Sequence, residues 1–196
     1  MQLVAYGAQD VYLTGNPQIT FFKVVYRRHT NFSMECIEQT INGTVTISGN
    51  STVTISRNGD LVGKVYVTNA GNTSTTNGSG IVSEVDLEIG GQLIDRQNEE
   101  WNLMWNELST PESKASALKS MLGDVGTAGS ADSTGPLMTQ FPLNFWFCRN
   151  PGLALPLIAL QYHEVKLKFT WGSSAAKGVD SNVKVWCDYV YLDTDE

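Results

Sequence analysis

Apolar side chains alternate with polar ones over five segments of the chain: 52–56, 82–89, 137–147, 163–171 and 183–192. A period of two places one face of a β-strand against a core and the other face toward solvent. The last segment is apolar on nearly both faces, which is typical of a central or covered strand. The pattern predicts seven or eight strands in an all-β, antiparallel sandwich.

The segment 32–48 also predicts a strand, with a loss of phase near Gln39 that indicates a bulge. Arg57-Asn58-Gly59-Asp60 predicts a tight turn, because Asn-Gly adopts positive φ at low cost. That turn would join 52–56 and 61–68 as a hairpin. The side chains expected to point inward from the first of these strands are Met34, Cys36, Ile41, Val45 and Ile47.

A helical period replaces the strand period at about 97–123. Thr110-Pro111-Glu112 predicts an N-cap, a proline at the first helical position and an acid in the first turn, and Gly123 predicts a helix end. We therefore expect a short helical insertion of two helices in the sandwich. The side chains that recur at helical spacing in its first half are Trp101, Met104, Trp105 and Leu108.

Two other stretches are rich in Gly, Ser, Thr, Asn or other small side chains. Residues 69–80 and 172–181 cannot bury enough apolar surface to order themselves firmly, so both predict exposed loops.

The segment 137–147 is predicted to be one strand with its aromatic and leucine side chains on a single face. Those side chains are Phe141, Leu143, Phe145 and Phe147.

Composition narrows the class of protein. The chain has 196 residues, 41% hydrophobic and 17% charged, which suits one well-packed domain. Its formal net charge of −7 argues against direct binding of nucleic acid, which depends on clustered Lys and Arg. The chain has three cysteines, Cys36, Cys148 and Cys187. This number is small and odd, which does not suit a disulfide framework, so we expect free thiols. No signal peptide or transmembrane stretch is evident.

The sequence gives only weak evidence for a catalytic or metal-binding site. His163 and Glu164 are adjacent on a strand and would point to opposite faces, so they cannot form a catalytic pair. Glu84, Asp86 and Glu88 share one strand face, where a solvated outer surface is a better interpretation than a cation site. We therefore expect no catalytic, cofactor or metal site, and no enzymatic activity.

The strand pattern alone leaves a jelly roll and an immunoglobulin-like sandwich open. Five motifs resolve the choice, because together they resemble the major capsid proteins of nucleocytoplasmic large DNA viruses, particularly the algal-virus branch. They occur in the family's order and the resemblance covers nearly the whole chain. The motifs are GAQDVYLTGNPQITFFKVVYRRHTNFS (7–33), RNGDL (57–61), LEIGGQ (87–92), PGLALPLIALQYHEV (151–165) and YVYLD (189–193).

The resemblance implies an arm and lead-in at 1–26 and a single jelly-roll domain at 27–196, without the family's second jelly roll. The chain would then be part of a longer protein or a single-roll relative. The implied function is a structural subunit of an icosahedral capsid, with homotrimers forming pseudo-hexagonal capsomers. The implied partners are neighbouring capsomers, minor capsid proteins and, indirectly, an inner membrane. The implied location is the virion, after assembly in the host cytoplasm.

The arm is the segment we expect to contact other subunits. Several of its side chains are larger and more apolar than a free tail normally exposes, and the polar turn at 15–18 lets it leave its own domain. We expect its two arginines to pair with acidic groups of the same or a neighbouring subunit. The candidate assembly residues are Tyr12, Leu13, Pro17, Phe21, Phe22, Arg27 and Arg28.

Two further features concern carbohydrate. Asn72 and Asn77 lie in N-x-[ST] triplets, and the resemblance to algal-virus capsid proteins makes them candidates for glycosylation on an outer loop. Because jelly rolls also occur in lectins, a carbohydrate-binding module is the alternative function, with Trp101 and Trp105 as its aromatic platform. At helical i, i+4 spacing, however, two tryptophans more often seat a helix on its domain.

Overall fold

A computed structural model describes residues 31–72, 78–123, 137–173, 179 and 181–193. The chain divides into two compact units. The first comprises Met1–Ser33 and Leu192–Glu196, and within it the Asp193 amide donates to the Asn31 carbonyl at 3.2 Å. The second, Met34–Tyr191, contains the sandwich and every surface discussed below.

The described residues form ten strands, three α-helices and two 3-10 turns. The 3-10 turns are Gly78–Ile81 and Pro151–Leu153. The helices are α1 (Glu99–Ser109), α2 (Glu112–Met121) and α3 (Trp146–Arg149). The strands are β1 (Phe32–Gln39), β2 (Ile41–Gly43), β3 (Asn50–Thr54), β4 (Leu61–Asn72), β5 (Val82–Ile89), β6 (Gln92–Asn98), β7 (Leu137–Pro142), β8 (Leu155–Pro156), β9 (Val165–Trp171) and β10 (Val183–Leu192).

The strands form two five-stranded sheets. Sheet 1 has the order β1-β10-β4-β7, with β8 also paired to β4, and sheet 2 has the order β2-β3-β9-β5-β6. The chain changes sheet after β1, β3, β4, β6, β8 and β9, so consecutive segments alternate across the sandwich. This is the connectivity of a jelly roll, and the predicted fold class is confirmed. The predicted insertion is also present, as α1 and α2 between β6 and β7.

The core lies between the sheets and is rich in aromatic side chains. In β9, Val165, Leu167, Phe169 and Trp171 are buried as the alternation predicts. The Trp171 indole donates to the Ser51 hydroxyl at 2.9 Å, so its one polar group is satisfied inside the core.

Strand β5 shows why alternation can skip a residue. Val82 and Val85 are both buried although they are three positions apart. The register against β9 shifts between Val82 and Glu84, which restores the inward phase. Gly90 and Gly91 then make the turn into β6 with φ of +61° and +82°, values that favour glycine.

The predicted hairpin of 52–56 with 61–68 is wrong. Strand β3 pairs with β2 and β9, whereas β4 pairs with β10, β7 and β8 in the other sheet. Residues 57–60 therefore cross between sheets, and Gly59 is not in the left-handed region. A Cβ on Gly59 would lie 3.0 Å from the Cβ of Tyr189, so a larger residue would require a shift of a few tenths of an ångström at this close approach.

The predicted inward face of 32–48 is also wrong in part. Met34, Cys36 and Ile47 are exposed, while Ile41 and Val45 are half-buried against the core. The buried side chain of β1 is instead a polar one, Gln39. Its Oε1 accepts a 3.0 Å hydrogen bond from the Ser56 amide and lies 3.2 Å from the Tyr189 hydroxyl. The chain then bends between Gln39 and Ile41 and passes into sheet 2.

Three predicted boundaries need correction. The strand predicted over 137–147 ends at Pro142, and Phe147 is buried from α3 rather than from a strand. The loop predicted over 69–80 is shorter, because β4 continues to Asn72 and a 3-10 turn begins at Gly78. The N-cap position of α2 is Pro111, not Thr110, and the Thr110 amide instead closes α1 by donating to the Asn106 carbonyl.

Candidate assembly surfaces

The outer face of sheet 2 is a row of cross-strand ion pairs. Arg96 on β6 places Nε 2.6 Å from one carboxylate oxygen of Asp86 and Nη2 2.8 Å from the other, and it also lies 3.5 Å from Glu84. Lys168 on β9 pairs with Glu88. The three acids of β5 thus face basic partners across the strands, which supports the solvated outer face predicted for them. Within the described ranges, no group of three His, Cys, Asp or Glu side chains is arranged to hold a metal.

One end of the sandwich is tied together by hydrogen bonds to main-chain carbonyls. The Arg57 guanidinium donates to the carbonyls of Leu160 and His163 at 2.7 and 3.2 Å. The Gly90 amide donates to the Glu164 carbonyl at 2.9 Å. The Glu164 carboxylate pairs with Lys166 at 2.7 Å, and this hydrogen bond lowers the pKa of the carboxyl group. The main-chain carbonyls of His163 and Glu164 thus help to fix this end of the sandwich.

This tied end exposes several large apolar side chains. Ile158 and Tyr162 are exposed on the turn that Arg57 holds, with 65% and 89% of their surfaces accessible. Leu93 and Ile94, just after the Gly90-Gly91 turn, are about half exposed. Surface apolar groups gathered in this way are characteristic of contact surfaces.

Asparagines seat helix α1 on the sandwich. Asn98 is its N-cap and accepts from the Trp101 amide at 2.9 Å. Asn102 is fully buried, donates to the Asn98 carbonyl at 3.1 Å, and accepts from the Asn144 side chain at 3.1 Å. A polar contact this deep holds a helix in one position, because moving it would leave buried amide groups unpaired.

An arginine completes the seat. The Arg149 guanidinium lies 4.0 Å from the ring centroid of Trp105 and 5.3 Å from that of Trp101, and its Nε donates to the Asn144 carbonyl at 2.8 Å. The two indoles stack on each other with centroids 5.5 Å apart. These contacts agree with the predicted docking role of the tryptophans. They also use ring faces that a sugar platform would need.

The outer side of α1 is apolar and uncovered among the described residues. Met104 and Leu108, one turn apart, form a ridge whose exposed fractions are 58% and 85%. Beside this ridge, a groove of about 280 Å³ separates α1 from α2. The sequence predicted one helical face from the recurrence of Trp101, Met104, Trp105 and Leu108. In the structure the two tryptophans pack against Arg149, whereas Met104 and Leu108 form the exposed ridge.

The three cysteines are free thiols in the structure, as predicted. Cys36 is exposed on β1, with its sulfur 2.8 Å from the Tyr66 hydroxyl. Cys148 and Cys187 are buried, and burial raises the pKa of the Cys148 thiol to about 12. Burial also raises the pKa of Cys187.

The residues predicted as assembly sites are not brought together by the described structure. Tyr12, Leu13, Pro17, Phe21, Phe22, Arg27, Arg28 and the candidate glycosylation residue Asn77 lie outside the described residues. Asn72 ends β4, where it is paired with Leu137 of β7. Sequence reasoning missed the seat of α1, although Asn98, Asn102 and Asn106 recur at helical spacing and could have indicated a polar docking face.

The chain matches a family model described as the N-terminus of the major capsid protein, over residues 20–193. It belongs to the major capsid protein family. It is 51% identical to the major capsid protein of Pyramimonas orientalis virus, covering 100% of this chain and 53% of that protein. It is 47% identical to the major capsid protein of Paramecium bursaria Chlorella virus 1, covering 100% and 48%. A solved structure of the PBCV-1 virus capsid superposes with a TM-score of 0.72 at 39% identity, covering 90% of this chain and 46% of that one.

The chain therefore spans about half the length of the major capsid proteins it matches. The family model that it matches describes the N-terminus of such proteins, and the described residues of this chain form one jelly-roll sandwich. Of the helices that the structure describes, none has the length and apolar character to cross a bilayer.

Proposed function

We propose that the chain is the first jelly roll of a structural subunit of an icosahedral viral capsid. One observation carries this proposal: the jelly-roll sandwich coincides with a family match that extends over residues 20–193. The solved PBCV-1 capsid structure has the same fold at 39% sequence identity, so the likeness extends beyond architecture.

The mechanism we propose is geometric rather than chemical. A sandwich with a packed aromatic core and tied loops offers rigid surfaces, and rigid surfaces lose little conformational entropy when they associate. Weak apolar contacts suffice, since a shell repeats each contact over many symmetric copies. The acids of β5 are paired with basic side chains across the strands of sheet 2, so these charged groups stabilise the sandwich, and the proposed role requires no enzymatic chemistry.

We further propose that subunits form homotrimers that act as pseudo-hexagonal capsomers, and that the arm of residues 1–26 reaches between subunits. Neighbouring capsomers and minor capsid proteins would be the partners, with an inner membrane contacted only indirectly. The net charge of −7 supports a role without direct contact to nucleic acid. The site of action is the virion capsid, and assembly would take place in the host cytoplasm.

The molar mass of the purified chain, measured by light scattering over a wide concentration range, tests this proposal. We expect trimers or multiples of trimers at high concentration, with three-fold particles in negative-stain images. A chain that remains monomeric throughout and binds glycans on an array would overturn the proposal in favour of the lectin-like alternative.

A further inference from the structure

We propose that Asn58 is a site of spontaneous deamidation, and that the isoaspartate formed there loosens the tied end of the sandwich. Asn58 precedes Gly59 in the crossover of residues 57–60, which leads from β3 in one sheet to β4 in the other. Asn-Gly is a reactive sequence for this change, because glycine has no side chain to hinder attack by its own amide nitrogen. The reaction belongs to the chain itself, so the inference is independent of the proposed function.

Deamidation needs only water and these two residues. The amide nitrogen of Gly59 attacks Cγ of the Asn58 side chain, and the side-chain nitrogen leaves as ammonia with the proton that the amide gives up. Water then opens the resulting five-membered succinimide ring at one of its two carbonyls. Opening at the side-chain carbonyl gives aspartate. Opening at the main-chain carbonyl gives isoaspartate, whose main chain runs through Cβ and Cγ and is one methylene longer.

The structure leaves the Asn58 side chain able to reach the Gly59 amide. Asn58 is exposed, so water has access to the succinimide. The bend at residues 58–60 lies outside every described strand and helix. Within the ranges that the structure describes, neither the Asn58 side chain nor the Gly59 amide forms a hydrogen bond. No hydrogen bond therefore has to break before the nitrogen attacks.

A second Asn-Gly pair in the same chain provides a contrast. Asn42 precedes Gly43 and is also exposed. Both residues lie in β2, where they are paired with Thr52 and Ser51 of β3. An extended strand holds the side-chain carbonyl away from the next amide nitrogen, so this pair must first leave the sheet. Since broken hydrogen bonds add to the barrier, we expect Asn42 to convert roughly tenfold more slowly than Asn58 in the folded protein.

The main chain that follows the reactive residue is held against β10. A Cβ on Gly59 would lie 3.0 Å from the Tyr189 Cβ, so the main chain has little room to move toward that strand. The Asp60 amide donates to the Val190 carbonyl at 3.0 Å. The extra methylene of isoaspartate must therefore be accommodated on the N-terminal side of Gly59.

Arg57 transmits this change to the tied end. Its guanidinium donates to the carbonyls of Leu160 and His163, which lie 103 and 106 residues further along the chain. These bonds hold the turn that exposes Ile158 and Tyr162. A longer main chain next to Arg57 displaces the guanidinium and weakens two charge-assisted hydrogen bonds at once. Deamidation at one exposed residue thus loosens a distant turn.

Peptide mapping of protein aged in neutral buffer tests the site, since each conversion changes an amide mass into a carboxyl mass. In the folded protein, Asn58 should convert roughly tenfold faster than Asn42. In guanidinium chloride the two rates should become similar, and their ratio there corrects for the different neighbouring residues. Both rates should increase with pH, because the attacking nitrogen is the deprotonated amide. Asn77, which precedes Gly78 and lies outside the described residues, is followed on its own peptide.

Two variants test the consequence for the tied end. Asn58→Gln disfavours the five-membered ring, so it should neither convert nor loosen on ageing. Freshly purified Asn58→Asp has the charge of the product but a main chain of normal length, which makes it the matched control. Hydrogen exchange over residues 157–163 should be roughly tenfold faster in the isoaspartate form, separated by chromatography, than in either variant. Circular dichroism establishes that both variants remain folded.

The proposed site is overturned if, after correction by the denatured ratio, Asn42 converts as fast as Asn58 in the folded protein. The proposed loosening is overturned if the isoaspartate form and Asn58→Asp exchange alike over residues 157–163. It is also overturned if aged Asn58→Gln loosens equally, because ageing elsewhere would then be the cause. These outcomes leave the proposed function intact, since that is tested by the mass of freshly purified protein.

Discussion

The Tyr189 hydroxyl donates a 2.7 Å hydrogen bond to the Ser56 carbonyl and thereby joins the two sheets. Tyr189 belongs to β10 of sheet 1, and Ser56 follows β3 of sheet 2. The tyrosine side chain is fully buried, whereas Ser56 is exposed, so the bond lies at the margin of the core.

Tyr189→Phe should lower the free energy of unfolding by about 1–3 kcal/mol, because the Ser56 carbonyl loses its buried donor. Tyr191→Phe is the control. Its hydroxyl makes only an exposed 3.3 Å contact with Glu35, so we expect a change within about 0.5 kcal/mol. Urea denaturation of both variants measures the difference, and equal losses would show that the inter-sheet bond has no special weight.

Gly59→Ala should destabilise the sandwich by about 1–3 kcal/mol, as overpacking does in a rigid core. The added Cβ would lie 3.0 Å from the Tyr189 Cβ. Gly63→Ala should be neutral or slightly stabilising, because its nearest neighbour would be the Asp188 carbonyl oxygen at 3.8 Å. Thermal unfolding of the two variants side by side is sufficient. A tolerated alanine at residue 59 would contradict the close approach of the crossover to β10.

Arg149→Lys should loosen α1 although it keeps the charge, because a lysine cannot stack a planar group on Trp105 while donating to Asn144. We expect a loss of about 0.5–2 kcal/mol. Faster hydrogen exchange confined to α1 would locate the effect. Lys184→Ala, which removes only an exposed pair with Glu38, should leave exchange in α1 unchanged.

Only Cys36 should react rapidly with a thiol reagent in the native protein at about pH 8, because thiols react as thiolates. Burial shields Cys148 and Cys187 and raises the pKa of both thiols, so the reactive thiolate is scarce at this pH. Burial also raises the pKa of Cys36, whose reaction should therefore accelerate further as the pH increases. Denaturation without reductant should expose three thiols, and finding a single thiol would reveal a disulfide.

Deletion of residues 1–16 should impair assembly while leaving the melting temperature nearly unchanged, if the arm acts between subunits. Alanine at Tyr12 and Leu13 should reproduce much of the defect, since burying each large apolar group contributes about 1.5–3 kcal/mol. Alanine at the polar neighbours Gln9 and Asp10 is the control. A large drop in melting temperature with assembly intact would instead make the arm part of the fold.

The sequence by itself determined the local elements of this protein. The alternation of Val165 to Trp171 predicted β9, and the change of period near residue 97 predicted the helical insertion. These features depend on side chains within a few residues of one another, so their signal is contained in a short window.

Only the tertiary structure decided which elements meet. Nothing local indicated that β3 and β4 lie in different sheets, that Gln39 is buried by its contacts to Ser56 and Tyr189, or that Arg149 stacks on Trp105. A polar side chain becomes a core residue only when its hydrogen-bond partner arrives from elsewhere in the chain, here 17 to 150 residues away. The exposure of Met104 and Leu108 on α1 has the same origin. Contacts with Asn144 and Arg149 fix which face of the helix packs on the sandwich, and that face is not the most apolar one.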